Sequence, residues 1–151
     1  MATPARRNIL SNLVTTLQGI TTGNGYKTTV TTVEALGKSW GEVKSGERPW
    51  IGVIPQRENF EHQPFGQIKI RLTVVLIAHV SGITQSNRSD KLNDLLDDVI
   101  AVLNVDTTRD NNAIATTVMS AETDEGSPDA SGDGSMVVTV EIAYIRTTSA
   151  S

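Results

Sequence analysis

Cysteine is absent from all 151 residues of this chain, which excludes disulfide staples, thiolate zinc sites and thiol nucleophiles together. Aromatic residues make up only 4% of it, so a core has to be assembled mainly from Leu, Ile and Val. Histidine occurs twice, as His62 and His79, too sparsely for a metal held by imidazoles. A basic excess is also missing. The net charge is −4 with a pI near 5.1, whereas domains that grip phosphate backbones usually carry a basic patch. The longest strongly apolar run, Val74 to Ala78, falls far short of the roughly 20 residues that a membrane-spanning helix requires. Arg6 and Arg7 are followed by Asn8, Ser11, Asn12, Thr15 and Thr16, which break up any signal-like apolar stretch, so no secretion signal and no membrane partner are expected.

Catalytic signatures are lacking as well. No Gly-x-Ser-x-Gly is present, and Gly23-Asn24-Gly25 has too few glycines to cradle a phosphate. Asp94, Asp97 and Asp98 share helical spacing and could offer carboxylates to a metal-assisted hydrolase. With no histidine beside them, a solvated or partner-facing helix surface is the simpler expectation. Asp129 to Gly134 resembles the first half of a calcium loop, but Val140 stands where the bidentate glutamate belongs. The chain is therefore expected to be no enzyme, with no cofactor and no metal.

A chain of this length suits one domain, 1–151, burying roughly 68 to 70% of its unfolded surface. Ile9, Leu10, Leu13, Val14, Leu17 and Ile20 form one apolar stripe and predict a helix over residues 3–20, with Thr3 as cap and Pro4 in its first turn. Glycines 19, 23 and 25 end it, and the threonine-rich Tyr26 to Leu36 reads as a half-exposed strand. Residues 67–80 alternate Ile68, Ile70, Leu72 and Val74 with polar neighbours, then become apolar on both faces, predicting a long strand that passes into full cover. Leu92, Leu95, Leu96, Val99, Ile100 and Leu103 predict a second helix over 88–104. Ile114 to Ala121 and Met136 to Ile145 alternate as strands around an acidic, glycine-rich loop at 122–135, forming a hairpin. The expected fold is α+β: two amphipathic helices on one face of a mostly antiparallel four- or five-stranded sheet.

Between these elements lies a stretch dense in glycine and proline, residues 37–66, which holds both tryptophans and both phenylalanines: Trp40, Trp50, Phe60 and Phe65. Its breakers predict an irregular arm whose only ordered piece is a short strand at Trp50 to Ile54. Arms of this length in compact domains are usually functional or disordered, and disordered stretches are poor in aromatics. Lys38, Lys44, Arg48 and Arg57 mix there with Glu42, Glu47, Glu58 and Glu61. Basic and aromatic residues together can stack on single-stranded nucleic acid, but the acids nearly cancel the charge. Aromatic anchors within a mixed-charge rim fit a protein interface better. The candidate subunit or tube interface is thus Trp40, Arg48, Trp50, Arg57 and Phe60. The alternative is that Trp50 and Phe65 complete the core while Trp40 covers its edge.

Three stretches carry a likeness to a known family. Arg6-Arg7-Asn8-Ile9-Leu10-Ser11-Asn12-Leu13 opens the first helix, Gly25-Tyr26 enters a strand, and Arg48-Pro49-Trp50-Ile51-Gly52-Val53 follows. With the strand Ile68 to Val80, the helix Leu92 to Ile100 and the closing strand Val137 to Tyr144, this order resembles the tail terminator, or tail-completion, proteins of long-tailed bacteriophages over almost the whole chain. The resemblance implies a small α+β subunit that forms a ring of six on the head-proximal end of the tail tube. Such a ring stops tube polymerisation and offers a surface to the neck. It implies no enzyme activity and no cofactor. Expected partners are other copies of the chain, the tail tube protein, a neck or head-completion protein and, in contractile tails, the sheath. The expected place is the virion, after assembly in the host cytoplasm. A head-completion or neck adaptor touching portal or connector is the nearest alternative. Asp124, Glu125, Asp129 and Asp133 are expected to form an acidic loop at the ring lumen or the next ring, where negative charge lets DNA pass without specific binding.

Overall fold

The computed structural model describes residues 5–35, 43, 45–81, 85–109, 113–124 and 134–147. Two helices and five strands follow in the order α1 (Ala5–Gln18), β1 (Thr32–Glu34), β2 (Trp50–Gln63), β3 (Gln67–Val80), α2 (Gln85–Val105), β4 (Ala115–Asp124) and β5 (Gly134–Thr147). The sheet order is β1-β2-β3-β5-β4. Only the β1–β2 pair is parallel, and the other three are antiparallel. The α+β architecture expected from the hydrophobic periods is the one found.

One face of the sheet holds the core. Ile51 and Val53 of β2 pair with Ala78 and Leu76 of β3, which pair in turn with Met136 and Val138 of β5. Val74, Leu72 and Ile70 continue the layer opposite Val140, Ile142 and Tyr144. Both helices press on this face: Ile9, Leu13 and Leu17 of α1 and Leu92, Leu95, Val99 and Leu103 of α2 join the strand residues in one buried cluster. Ile100, placed by spacing in the same stripe, is part exposed instead. Gly134 begins β5 because a Cβ there would lie 3.0 Å from Val80.

The other sheet face carries no helix, and Trp50 with His79 forms its buried corner. Elsewhere on that face Val75 and Ile77 of β3 are half-buried and Val137 and Ile145 of β5 are exposed, so the expected full cover is reached only over Ala78 to Val80. An antiparallel sheet tolerates this because one packed face suffices.

Three predicted elements change. The strand expected over Tyr26 to Leu36 shrinks to Thr32–Glu34, because the backbone before it finds partners outside any ladder. The Lys27 and Thr28 N–H groups donate to the Asp98 carboxylate, and Val30 N–H donates to Ile20 O. The arm expected at 37–66 is regular in its second half, where β2 pairs with β3 from Trp50 to Gln63. Residues 36–42 and 44 lie outside the described residues, as do Thr3 and Pro4. The hairpin loop also narrows, since Glu122, Thr123 and Asp124 pair with Val137, Met136 and Ser135.

Candidate assembly surfaces

Two long strands are joined by a tight turn that ends in an exposed tip. β2 and β3 are held in register to their ends, Gln63 opposite Gln67, around the turn Pro64–Gly66. Core-facing burial on β3 ends at Ile70, and β2 is largely exposed from Gln56 onward. At the tip Phe65 is fully exposed, with a left-handed backbone at φ 64°. Such a φ is a genuine outlier for a bulky residue. Phe65 therefore does not complete the core.

The predicted interface residues do not form one patch. Trp50 is fully buried, stacked on His79 with ring centroids 5.4 Å apart, and its Nε1 donates to Glu34 at 3.1 Å. It is a structural residue and cannot anchor a partner. Arg48 also turns inward, donating to Ser81 Oγ at 3.1 Å and to the Val43 carbonyl at 2.7 Å. Arg57 and Phe60 are accessible but point opposite ways: Arg57 pairs with Thr73 on the open face, Phe60 with Ile70 on the helix face. Three positions apart on a regular stretch, they alternate to opposite faces, and the register shift between Pro55 and Arg57 decides which face each takes. Trp40 lies outside the described residues.

A small polar hub ties the long strands to the first helix. Glu58 accepts from Tyr144 OH at 2.9 Å and pairs with the Arg6 guanidinium. Burial, followed by the hydrogen bond to Glu58, pushes the Tyr144 phenol up to about 12. Beside the hub, Ala5, Arg6, Glu58, Phe60, Ile70 and Tyr144 line part of a cavity of about 670 Å³.

The acidic helix trio is divided. Asp98 is buried and takes two backbone N–H bonds, at 3.1 Å and 2.8 Å, from Lys27 and Thr28. Asp97 pairs with Lys27 Nζ at 3.0 Å, and that partner holds the Lys27 ammonium above its usual range. Among the described residues no group of three or more His, Asp or Glu is placed to hold a metal ion. Val140 is a buried β5 residue facing the helices, so the calcium-loop geometry does not continue beyond Gly134. Of the acidic loop residues, Asp124 ends β4 in an exposed position, and Glu125, Asp129 and Asp133 lie outside the described residues. No described helix is long and apolar enough to cross a membrane.

Two edges and one groove remain open. β1 covers β2 only from Trp50 to Gly52, so the rest of that side of β2 has no ladder partner among the described residues. At the far side of the sheet, β4 is likewise unpaired outward and mostly exposed. A groove of about 670 Å³ runs along α1, lined by Arg6, Arg7, Leu10, Ser11, Val14, Thr15 and Ala35. Sequence patterning missed Phe65 and this groove. The turn Pro64-Phe65-Gly66 was a possible signal, since an aromatic between two breakers has little chance of reaching a core.

No protein-family model matches this chain, and no curated protein matches its sequence.

Proposed function

We propose that this chain is a ring-forming virion subunit that caps the head-proximal end of a bacteriophage tail tube. The observation that carries the proposal is the pair of unlike open edges on a sheet whose two helices pack on one face. Among the described residues β2 has no ladder partner beyond Gly52 at one side, and β4 has none at the other. Long exposed edges are a liability that native proteins normally blunt or pair. Two unlike edges also make a heterologous contact, which generates rings when the rotation closes. The resemblance in element order to tail terminators supplies the place of the ring. A net charge of −4 suits a channel that DNA passes without being held.

The test is to add the purified chain to isolated tail tubes and, separately, to filled heads, and to image both by negative stain. The proposal expects an added ring at one end of the tube and a halt to further tube growth. Binding to heads with none to tubes would favour the neck-adaptor alternative and overturn tube capping.

A further inference from the structure

We propose that Phe65, at the β2–β3 tip, seats in the α1 groove of a second copy of this chain. The inference rests on the ring reading above and names one contact within it.

The tip bears two costs that the single chain does not offset. A phenyl ring stands fully in solvent, and its backbone holds a left-handed φ of 64°. Pro64 before it and Gly66 after it, at φ 72°, fix the turn that presents the ring. Strained, exposed residues of this kind persist where a function uses them. An aromatic side chain on a rigid hairpin also has few rotamers to lose on docking, which suits an anchor.

The groove complements it. Leu10, Val14 and Ala35 give it an apolar lining, beside the polar Ser11, Thr15 and Arg7. At about 670 Å³ it lies within the range of sites that enclose whole small molecules, so one phenyl ring fits. Arg7 is exposed, and its guanidinium can lie against the face of the ring.

The occupant cannot be the chain's own tip. The N-terminal end of α1 is fixed at Glu58 through Arg6, and its C-terminal end lies near the start of β2, where Ile20 O takes the Val30 N–H and Thr31 N–H reaches Pro49 O. The groove therefore extends from Glu58 back toward Trp50. The tip lies the other way, beyond the strand residues from Glu58 to Gln63 and the turn that follows, or roughly 20 Å at about 3.3 Å per strand residue. Tip and groove are different patches on one molecule, so their pairing joins copies head to tail.

The cysteine-free sequence makes the test direct. In the full chain, the double substitution Phe65→Cys with Thr15→Cys should give, on mild oxidation, a ladder of intermolecular cross-links, with each single substitution stopping at dimers. Phe65→Gly relieves the backbone strain while removing the ring. Its monomer should melt no lower than wild type while association weakens roughly 10- to 100-fold, the equivalent of burying one phenyl side chain. Ser11→Trp, which plugs the groove, should weaken association similarly. Rings that survive both substitutions, without the ladder, overturn the tip contact and leave the ring standing. A wild-type chain that stays monomeric at every concentration, with no ladder from the double-cysteine variant, overturns both.

Discussion

Asp98 shows how far a single residue's role departs from its residue type. Three aspartates at helical spacing suggested either carboxylate chemistry or a wet surface, and neither describes a carboxylate capping two backbone N–H groups of a distant segment. Helical periodicity placed Asp98 on its helix correctly. It could not show that residues 27 and 28 come to meet it, because that contact spans about seventy positions. Replacing Asp98 with Ala leaves two part-buried donors unsatisfied and should cost about 2 to 3 kcal/mol, read as a lower urea midpoint. A loss under about 0.5 kcal/mol would show that the Lys27–Thr28 segment is held by something else. Arg109, fully buried with Nη2 donating to Leu103 O at 2.8 Å, was equally invisible in the sequence, since an arginine after a helix ordinarily reads as surface. Tyr144 supplies a pH test. Its folded pKa of about 12 lies above the ordinary 10.0. Between those values the unfolded chain loses the phenol proton and the folded chain keeps it, so stability must fall as pH rises through that window. Tyr144→Phe should abolish that part of the alkaline loss. Denaturant midpoints at pH 9 and pH 11 for both proteins decide it, and equal losses would contradict the assignment.

At the scale of elements, the hydrophobic periods located both helices and the long central strand, because each buries a continuous face against a single partner layer. β2 escaped for two physical reasons. Pro55 lacks a donor and reads as a breaker, yet it sits at a bulge on a strand whose outer side is free, where proline is tolerated. The same bulge shifts the parity of the strand: Ile51 and Val53 face the helices before it, Glu58 and Phe60 after it. Simple alternation breaks at that point. β4 hides its pattern the same way at Val118 to Ser120, which moves Ala121 to the face that alternation had assigned to Ser120. If Gln56 is the extra bulge residue, deleting it straightens β2 without changing which side chains meet the helices. The Glu58–Tyr144 bond should then survive, with the phenol still titrating near 12. A fall from that value, with burial alone left to hold the phenol up, would show that the bulge itself aims Glu58.

For the whole molecule, the fold class was legible and the candidate assembly surface was not. Aromatic content drew attention to residues 37–66, but the described aromatics there divide between a buried tryptophan stacked on His79 and two exposed phenylalanines, Phe60 and the tip Phe65. The division depends on tertiary pairing that no local pattern encodes. Removing residues 38–48 would accordingly be a poor probe of assembly, since it deletes buried Val43 and the Arg48 bonds with it. A cleaner probe is to neutralise Asp124, Glu125, Asp129 and Asp133 together. If these acids face the channel or the adjoining ring, ring mass should stay unchanged while head joining or DNA delivery fails. Unimpaired infectivity would remove them from that role. The central claim is that unlike edges close copies of this chain into a ring. Sedimentation velocity of the purified protein over a wide concentration range, with negative-stain images of the same samples, tests it most directly. The account predicts one discrete multiple of the 16.2 kDa chain with a central hole; a monomer at every concentration would contradict it.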